Sequence, residues 1–256
     1  MIIEIIAMLI IALALGISLA LASKKFYVQE DPKVQEVFEV LPHNNCGACG
    51  FPGCLAFAKA VAENPAATSR CRVGGPKQVD EIGRILGVKI NHEEPLLSRA
   101  LCKGNCTDKF EYQGVATCRS AAMISNGPKS CKFSCLGFGD CALQCQFGAM
   151  SMQDSLPVVN LEKCNGCGLC VEACPKNVLR LSGKSQSTTV RCSSTLGARA
   201  NAKNCKFGCI SCGTCVTNCA AKSITIKDNL AVVDFGSCTH CGICAKLCPR
   251  KTIEIA

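Results

Sequence analysis

Nine cysteines of this 256-residue chain recur without a gap 74 residues further on. Cys118, Cys131, Cys135, Cys141, Cys145, Cys164, Cys167, Cys170 and Cys174 are matched by Cys192, Cys205, Cys209, Cys215, Cys219, Cys238, Cys241, Cys244 and Cys248. Leu156, Val158, Val159, Gly168 and Pro175 recur at the same offset, as Leu230, Val232, Val233, Gly242 and Pro249. A single offset shared by so many positions marks a tandem duplication, so each copy is expected to be the same structural unit. The chain holds 25 Cys in all, a density that leaves three chemistries: disulfides, zinc or iron–sulfur clusters.

Spacing separates the three. Disulfides at this density suit short secreted chains, and structural zinc uses separated C-x-x-C knuckles. The second copy instead carries Cys209-x₂-Cys212-x₂-Cys215-x₃-Cys219, then Cys238-x₂-Cys241-x₂-Cys244-x₃-Cys248-Pro249. Four Cys within eleven residues do not wrap one tetrahedral ion. They can give three ligands to one cube and the fourth to its neighbour, the two-cluster pattern of bacterial ferredoxins. Cys209, Cys212, Cys215 and Cys248 are therefore expected to hold one [4Fe–4S] cluster, and Cys219, Cys238, Cys241 and Cys244 another. Ser223 to Val233 between the runs reads as two short strands turning at Asp228-Asn229.

The first copy departs from this pattern at one position, where Phe138 stands in place of Cys212. Cys131, four residues before Cys135, is expected to supply the missing thiolate, giving Cys131, Cys135, Cys141 and Cys174 as one set. Cys145, Cys164, Cys167 and Cys170 form the other. Cys102, Cys106, Cys118, Cys192 and Cys205 are left over. Buried free Cys is a common packing residue. The alternative is a sixth site built on Cys102, Cys106 and Cys118 with one further ligand.

Upstream of the repeats, Cys46, Cys49, Cys54 and Cys71 are spaced C-x₂-C-x₄-C-x₁₆-C, with Gly47, Gly50 and Gly53 among the first three. Glycine allows the positive φ that a ligand loop wrapped tightly on a cube requires. Leu55 to Glu63 and Gln78 to Leu86 read as helices, so this segment is expected to be a small helical domain on a fifth cluster.

The first residues have a different character. Ile5 to Ala22 is an uncharged run of 18 residues, ten of them Ile or Leu. As a helix it spans about 27 Å, close to the ~30 Å hydrocarbon core of a bilayer. Lys24 and Lys25 follow at once, which places the N-terminus outside and the remainder on the cytoplasmic side. Ala20-Leu21-Ala22 resembles a leader cleavage site, but no Lys or Arg precedes the run, so a retained single-pass anchor is expected. The formal charge of +9 is not read as a nucleic-acid signal. Five thiolate-bound cubes would contribute about −10, and the chain has no Trp and only two Tyr for base stacking. No G-x-G-x-x-G after a strand, no P-loop and no nucleophile with a His base is present, and His43, His92 and His240 are isolated.

The expected fold class is α+β, built of small iron–sulfur modules. A transmembrane anchor (1–25) precedes a helical 4Fe-4S domain (31–95), and two bacterial-type ferredoxin folds follow (96–182 and 183–256). The order of an apolar helix, C-G-A-C-G-F-P-G-C (Cys46 to Cys54) with Cys71-Arg72-Val73-Gly74-Gly75, and then ferredoxin repeats resembles the B subunit of the Rnf ion-translocating electron-transport complex, in its multi-cluster form. That resemblance covers essentially the whole chain. It implies a component of the cytoplasmic membrane that takes electrons from soluble ferredoxin and relays them to membrane-embedded partners. The complex passes electrons between ferredoxin and NAD while moving Na⁺ or H⁺, and its flavin and NADH sites lie on other subunits. The resemblance leaves two other roles open: reduction of a redox-sensing regulator by a related complex, and a stand-alone membrane polyferredoxin.

Overall fold

In the computed structural model, residues 2–26, 31–92, 94–104 and 106–255 are described. Helix α1 (Ile2–Lys25) ends on Lys24 and Lys25. Its segment Ile5–Lys25 is long and apolar enough to cross a membrane, and none of it is buried within the chain. The side chain of Glu4, which precedes this span, lies outside the described residues.

The helical domain starts at Asp31, whose carboxylate accepts the Lys33 amide at 2.9 Å and caps α2 (Pro32–Val40). Helix α3 (Cys54–Glu63) stops at Asn64, because Pro65 cannot continue it. The Asn64 side chain then caps a 3₁₀ turn over Pro65–Arg70. Helix α4 (Gly75–Leu86) takes Pro76 into its first turn and closes on Gly87 at φ +68°. It begins three residues before the segment read from the sequence, because the Gly-Gly-Pro stretch forms its first turn rather than a preceding loop. Val34, Val37 and Leu41 of α2 and its C-cap, Phe57, Ala58 and Val61 of α3, and Ile82 of α4 form one core. Each large side chain among them contributes about 1.5–3 kcal/mol by burial. Cys49, Cys54 and Cys71 pack against its edge.

Two ferredoxin-type lobes follow, each with two two-stranded antiparallel sheets. In the first, β1 (Leu96–Ala100) pairs with the distant β4 (Leu179–Gly183). Inside that pair lie α5 (Cys118–Met123), α6 (Asp140–Leu143), the hairpin β2 (Met150–Gln153) and β3 (Leu156–Val159), and α7 (Leu169–Glu172). In the second, β5 (Thr188–Val190) pairs with β8 (Ile253–Ile255). It encloses α8 (Ala198–Asn204), α9 (Thr214–Thr217), the hairpin β6 (Ile224–Lys227) and β7 (Leu230–Val233), and α10 (Ile243–Leu247). The turn read at Asp228-Asn229 is present, with φ +46° and +60°, the left-handed pair of a tight hairpin. Asp154 and Ser155 repeat it in the first lobe, at φ +48° and +59°.

Two-stranded sheets of three to five residues are not stable alone. The cores that hold them are partly made of cysteine. Cys141 and Cys170 are buried with Ala100, Met150 and Leu179. Cys215 and Cys244 are buried with Ile224, Ala231, Val233 and Ile253.

The structural repeat follows the 74-residue offset only from Cys131 and Cys205 onward. Ala100 pairs with Leu179 and Val190 with Ile253. Strands β1 and β5 are therefore equivalents, and the residue two past each is Cys102 and Cys192 respectively. The loop from β1 to Cys131 is the longer one and carries α5. Cys118, which starts α5, therefore has no counterpart in Cys192, although the two match in the gapless alignment.

Candidate metal centres

The first-domain cysteines sit on a loop bent by Gly47 (φ +72°) and Gly50 (φ +86°), with Gly50 N–H bonded to Gly47 O at 2.8 Å. Asn45 Oδ1 accepts the Cys54 amide at 2.8 Å and so fixes the start of α3 under the loop. Cys71 lies near Cys49; burial pushes its thiol up, while the N–H groups of Gly74 and Val73 favour its ionised form. The carboxamide of Gln78 is buried and has no hydrogen-bond partner. A buried amide beside a thiol is a donor suited to the sulfur of a cluster.

In the first lobe Cys170 has Cys164 and Cys145 as electrostatic neighbours, and burial raises its pKa. Cys167 neighbours Cys170 and Cys145. All four line one small cavity. Their sulfurs meet backbone N–H groups: Ala149 N–H to Cys145 Sγ at 3.3 Å, and Ser98 N–H to Cys164 Sγ at 3.5 Å. Gly166 (φ +67°) and Gly168 (φ +94°) turn the chain around them.

The other first-lobe set, expected as Cys131, Cys135, Cys141 and Cys174, has a further cysteine beside it, Cys118. Burial drives Cys135 up to about 12, and its cysteine neighbours are Cys102, Cys118 and Cys141. Burial likewise lifts Cys141 to about 11; its neighbours are Cys174, Cys118 and Cys170. Cys118 therefore lies near Cys135 and Cys141, and Cys141 lies near Cys174. The cause is α5. Asp140, at the start of α6, accepts the amides of Cys118 at 2.8 Å and Arg119 at 3.1 Å. This places the Cys118 thiol against the backbone N–H groups of Asp140, Phe138 and Gly139, beside the position where the second lobe has Cys212. Cys131-Lys132-Phe133-Ser134-Cys135 is matched by Cys205-Lys206-Phe207-Gly208-Cys209, although Cys212 is present in the second copy. Cys131 thus has a counterpart, Cys205, in a copy where no cysteine of the run is missing.

In the second lobe burial raises Cys215 to about 11, with Cys209, Cys212 and Cys248 as neighbours. Thr252 N–H reaches Cys248 Sγ at 3.3 Å. Cys244 neighbours Cys238 and Cys241, and Cys219 and Cys238 pack on the same core. The Ser223 hydroxyl lies 3.2 Å from Cys219 Sγ and lowers its pKa. His240 Nδ1 lies 3.1 Å from Thr188 Oγ1 and 3.8 Å from Cys238 Sγ. His92 pairs with Asp80 at 2.8 Å, and His43 packs edge-on against Phe38.

None of the 25 cysteines is paired in a disulfide. Among the described residues no group of His, Cys, Asp or Glu closes on a point fit for a single ion. Four thiolates on one zinc would stand about 3.8 Å apart. Groups of four cysteines gathered more widely, on left-handed glycines and backbone N–H groups aimed at sulfur, fit polynuclear iron–sulfur clusters.

Fold and site together define a class: a ferredoxin-type electron carrier with several cubane sites in one chain. Comparisons with known proteins agree. A model for an Fe-S cluster domain matches residues 41–73, one for a 4Fe-4S binding domain residues 157–180, and one for a 4Fe-4S dicluster domain residues 208–252. The chain is 39% identical to the B subunit of the ion-translocating oxidoreductase complex of Methanosarcina acetivorans, over 94% of this chain and 93% of that one. It is 37% identical to the B subunit of the Na⁺-translocating ferredoxin:NAD⁺ oxidoreductase complex of Acetobacterium woodii, over 90% and 70%. It is 38% identical to the B subunit of the proton-translocating ferredoxin:NAD⁺ oxidoreductase complex of Clostridium ljungdahlii, over 91% and 84%. The chain belongs to the family of B subunits of ion-translocating (Rnf) oxidoreductase complexes.

Proposed function

We propose that this chain relays electrons singly from soluble reduced ferredoxin to the other subunits of an ion-translocating complex. Five [4Fe–4S] clusters carry them. The ligand sets are Cys46, Cys49, Cys54 and Cys71; Cys145, Cys164, Cys167 and Cys170; Cys118, Cys135, Cys141 and Cys174; Cys209, Cys212, Cys215 and Cys248; and Cys219, Cys238, Cys241 and Cys244. A bound cube takes and gives one electron with no bond made or broken in the protein. The residues divide the work. Thiolates hold the iron, backbone N–H groups favour charge on sulfur, and the packed apolar side chains around them keep water out. Helix α1 tethers the chain to the cytoplasmic membrane in a single pass, with the modules at 31–95, 96–182 and 183–256 on the cytoplasmic side.

The observation that carries this reading is that the first three sets, from the helical domain into the first lobe, abut in series. Cys46 of the first domain neighbours Cys167. Cys170 of that set neighbours Cys141 of the next. The test is anaerobic stopped-flow mixing with reduced ferredoxin. Rapid bleaching of the cluster absorbance is expected, followed by transfer to the membrane subunits when they are present. No bleaching, or a colourless zinc-loaded protein, refutes the proposal.

A further inference from the structure

Strands β1 and β4 carry a pairing that works against their own sheet. Arg99 and Arg180 stand directly opposite one another in the register, so both side chains leave the same face of the pair. Like charges placed in this way are destabilising. Arg99 is 9% exposed, and burial of its charge lowers its pKa. Its Nε donates to Ser182 Oγ at 3.0 Å, and its two Nη groups have no protein partner among the described residues. No carboxylate among the described residues pairs with either arginine. Glu254, which lines an adjoining cavity with Arg99, is already held by Lys103 at 2.6 Å and Arg191 at 2.8 Å.

The fold does not require this pair. In the second lobe the equivalent positions of β5 and β8 are Thr189 and Glu254, which also stand directly opposite one another. The duplicated unit thus builds the same sheet with a hydroxyl and a carboxylate where the first lobe has two cations.

Both arginines line a cavity of about 390 Å³ between the lobes, a size that holds a small organic ligand. Lys176 lines it beside them, its Nζ donating to the Asn126 carbonyl at 2.9 Å. No Asp or Glu among the described residues lines it. Much of the remaining wall is apolar and comes from the second lobe, with Leu230 to Val233 of β7 and Phe235. Guanidinium groups present paired donors that fit a phosphate. A phosphate monoester carries a charge near −2 at neutral pH, which matches a cluster of cations with no carboxylate among them.

We propose that this cavity binds a small organic phosphate, its head held by Arg99 and Arg180 beside Lys176 and its apolar body laid against β7 and Phe235. Binding offsets the repulsion between the two arginines. It also ties the lobes together, because head and body rest on different ones. The site lies outside the five cysteine sets, so it stands or falls separately from the electron relay. A phosphate with an apolar body is supplied either by a soluble metabolite or by an anionic lipid.

The full chain, purified anaerobically with its clusters, is titrated in a calorimeter at physiological salt with inorganic phosphate, phenyl phosphate and dihexanoyl phosphatidic acid. Its melting is followed with and without each. Phenyl phosphate should bind at least about tenfold more tightly than inorganic phosphate, because its ring covers apolar wall. Arg180→Glu, which copies the carboxylate of the second lobe, should weaken phenyl phosphate at least about tenfold. Without phosphate the same variant should melt at a higher temperature than the parent, with its iron content unchanged. Tighter binding of the short-chain lipid than of phenyl phosphate assigns the site to a lipid, and the reverse assigns it to a soluble metabolite. Absence of binding by all three probes overturns the inference. So does equal binding by parent and Arg180→Glu, or a lower melting temperature of the ligand-free variant, as a merely structural arginine would give. The parent's own titration decides the matter even where the variant does not fold. Zinc in place of iron in the parent would count against the relay and leave this site to be judged on its phosphate binding.

Discussion

Gly166 offers a sharp test of how the backbone shapes a cluster loop. It lies between Cys164 and Cys167 at φ +67°, and a Cβ there would stand 2.1 Å from the Leu96 carbonyl oxygen and 2.7 Å from its carbon. Gly213 is equally left-handed, at φ +77°, but a Cβ there meets nothing within 4 Å. Both Gly→Ala changes incur the left-handed cost of an L-residue, about 1–2 kcal/mol. Only Gly166→Ala adds a collision with backbone, which cannot rotate aside. Overpacking of that kind costs about 1–3 kcal/mol more. The sum, about 2–5 kcal/mol, disfavours the closed loop roughly 30- to 5,000-fold. Either β1 moves or the loop does, and the Ser98 N–H to Cys164 Sγ bond goes with it. The duplicate of Gly166 is His240, which does adopt φ +53°. There β5 begins only at Thr188, whereas β1 extends two residues further in the shared register. Purified anaerobically, Gly166→Ala should be short of the four irons held by Cys145, Cys164, Cys167 and Cys170, while Gly213→Ala keeps them. Cluster absorbance followed on heating should fall earlier in the first variant. Equal iron content and equal heat resistance in the two variants would show that the contact with Leu96 does not govern the loop.

Three further outcomes are expected. Asp140→Ala removes the acceptor that fixes the start of α5. A loss of about 0.5–2 kcal/mol should appear as selective bleaching of the Cys118 cluster under chelator, with the second lobe's EPR signals unchanged. Phe57→Ala empties the centre of the helical domain, where the ring is 1% exposed. At about 3–5 kcal/mol, it should cost the first-domain cluster, measured as four lost irons. Leu13→Arg in the middle of α1 adds about 2.5–3.5 kcal/mol to membrane insertion. It should move protein from the membrane to the soluble fraction on cell fractionation, with the cluster spectrum intact.

The cysteine spacing alone determined most of what this chain is. A run of C-x₂-C-x₂-C-x₃-C is local. Its ligands share one turn of backbone, so the pairing of Cys215 with Cys209 and Cys212 needs no knowledge of distant contacts. The hairpin at Asp228-Asn229 and the apolar span at Ile5–Lys25 are local in the same sense. What the spacing left undecided was every question answered by a loop returning from far away. Cys118 reaches Cys135 and Cys141 because α5, in a loop found only in the first lobe, is pinned by Asp140. Cys102 corresponds to Cys192 because each follows the strand that closes its lobe, and strand pairing across such a stretch of chain leaves no mark in a gapless alignment. Cys102, Cys106, Cys131, Cys192 and Cys205 line one pocket only where the two lobes meet, with Arg191 linking Cys102 to Glu254 there. Local geometry can be read along a chain. The joining of its distant parts belongs to the tertiary fold, because only there do separated thiols come close enough to share a site.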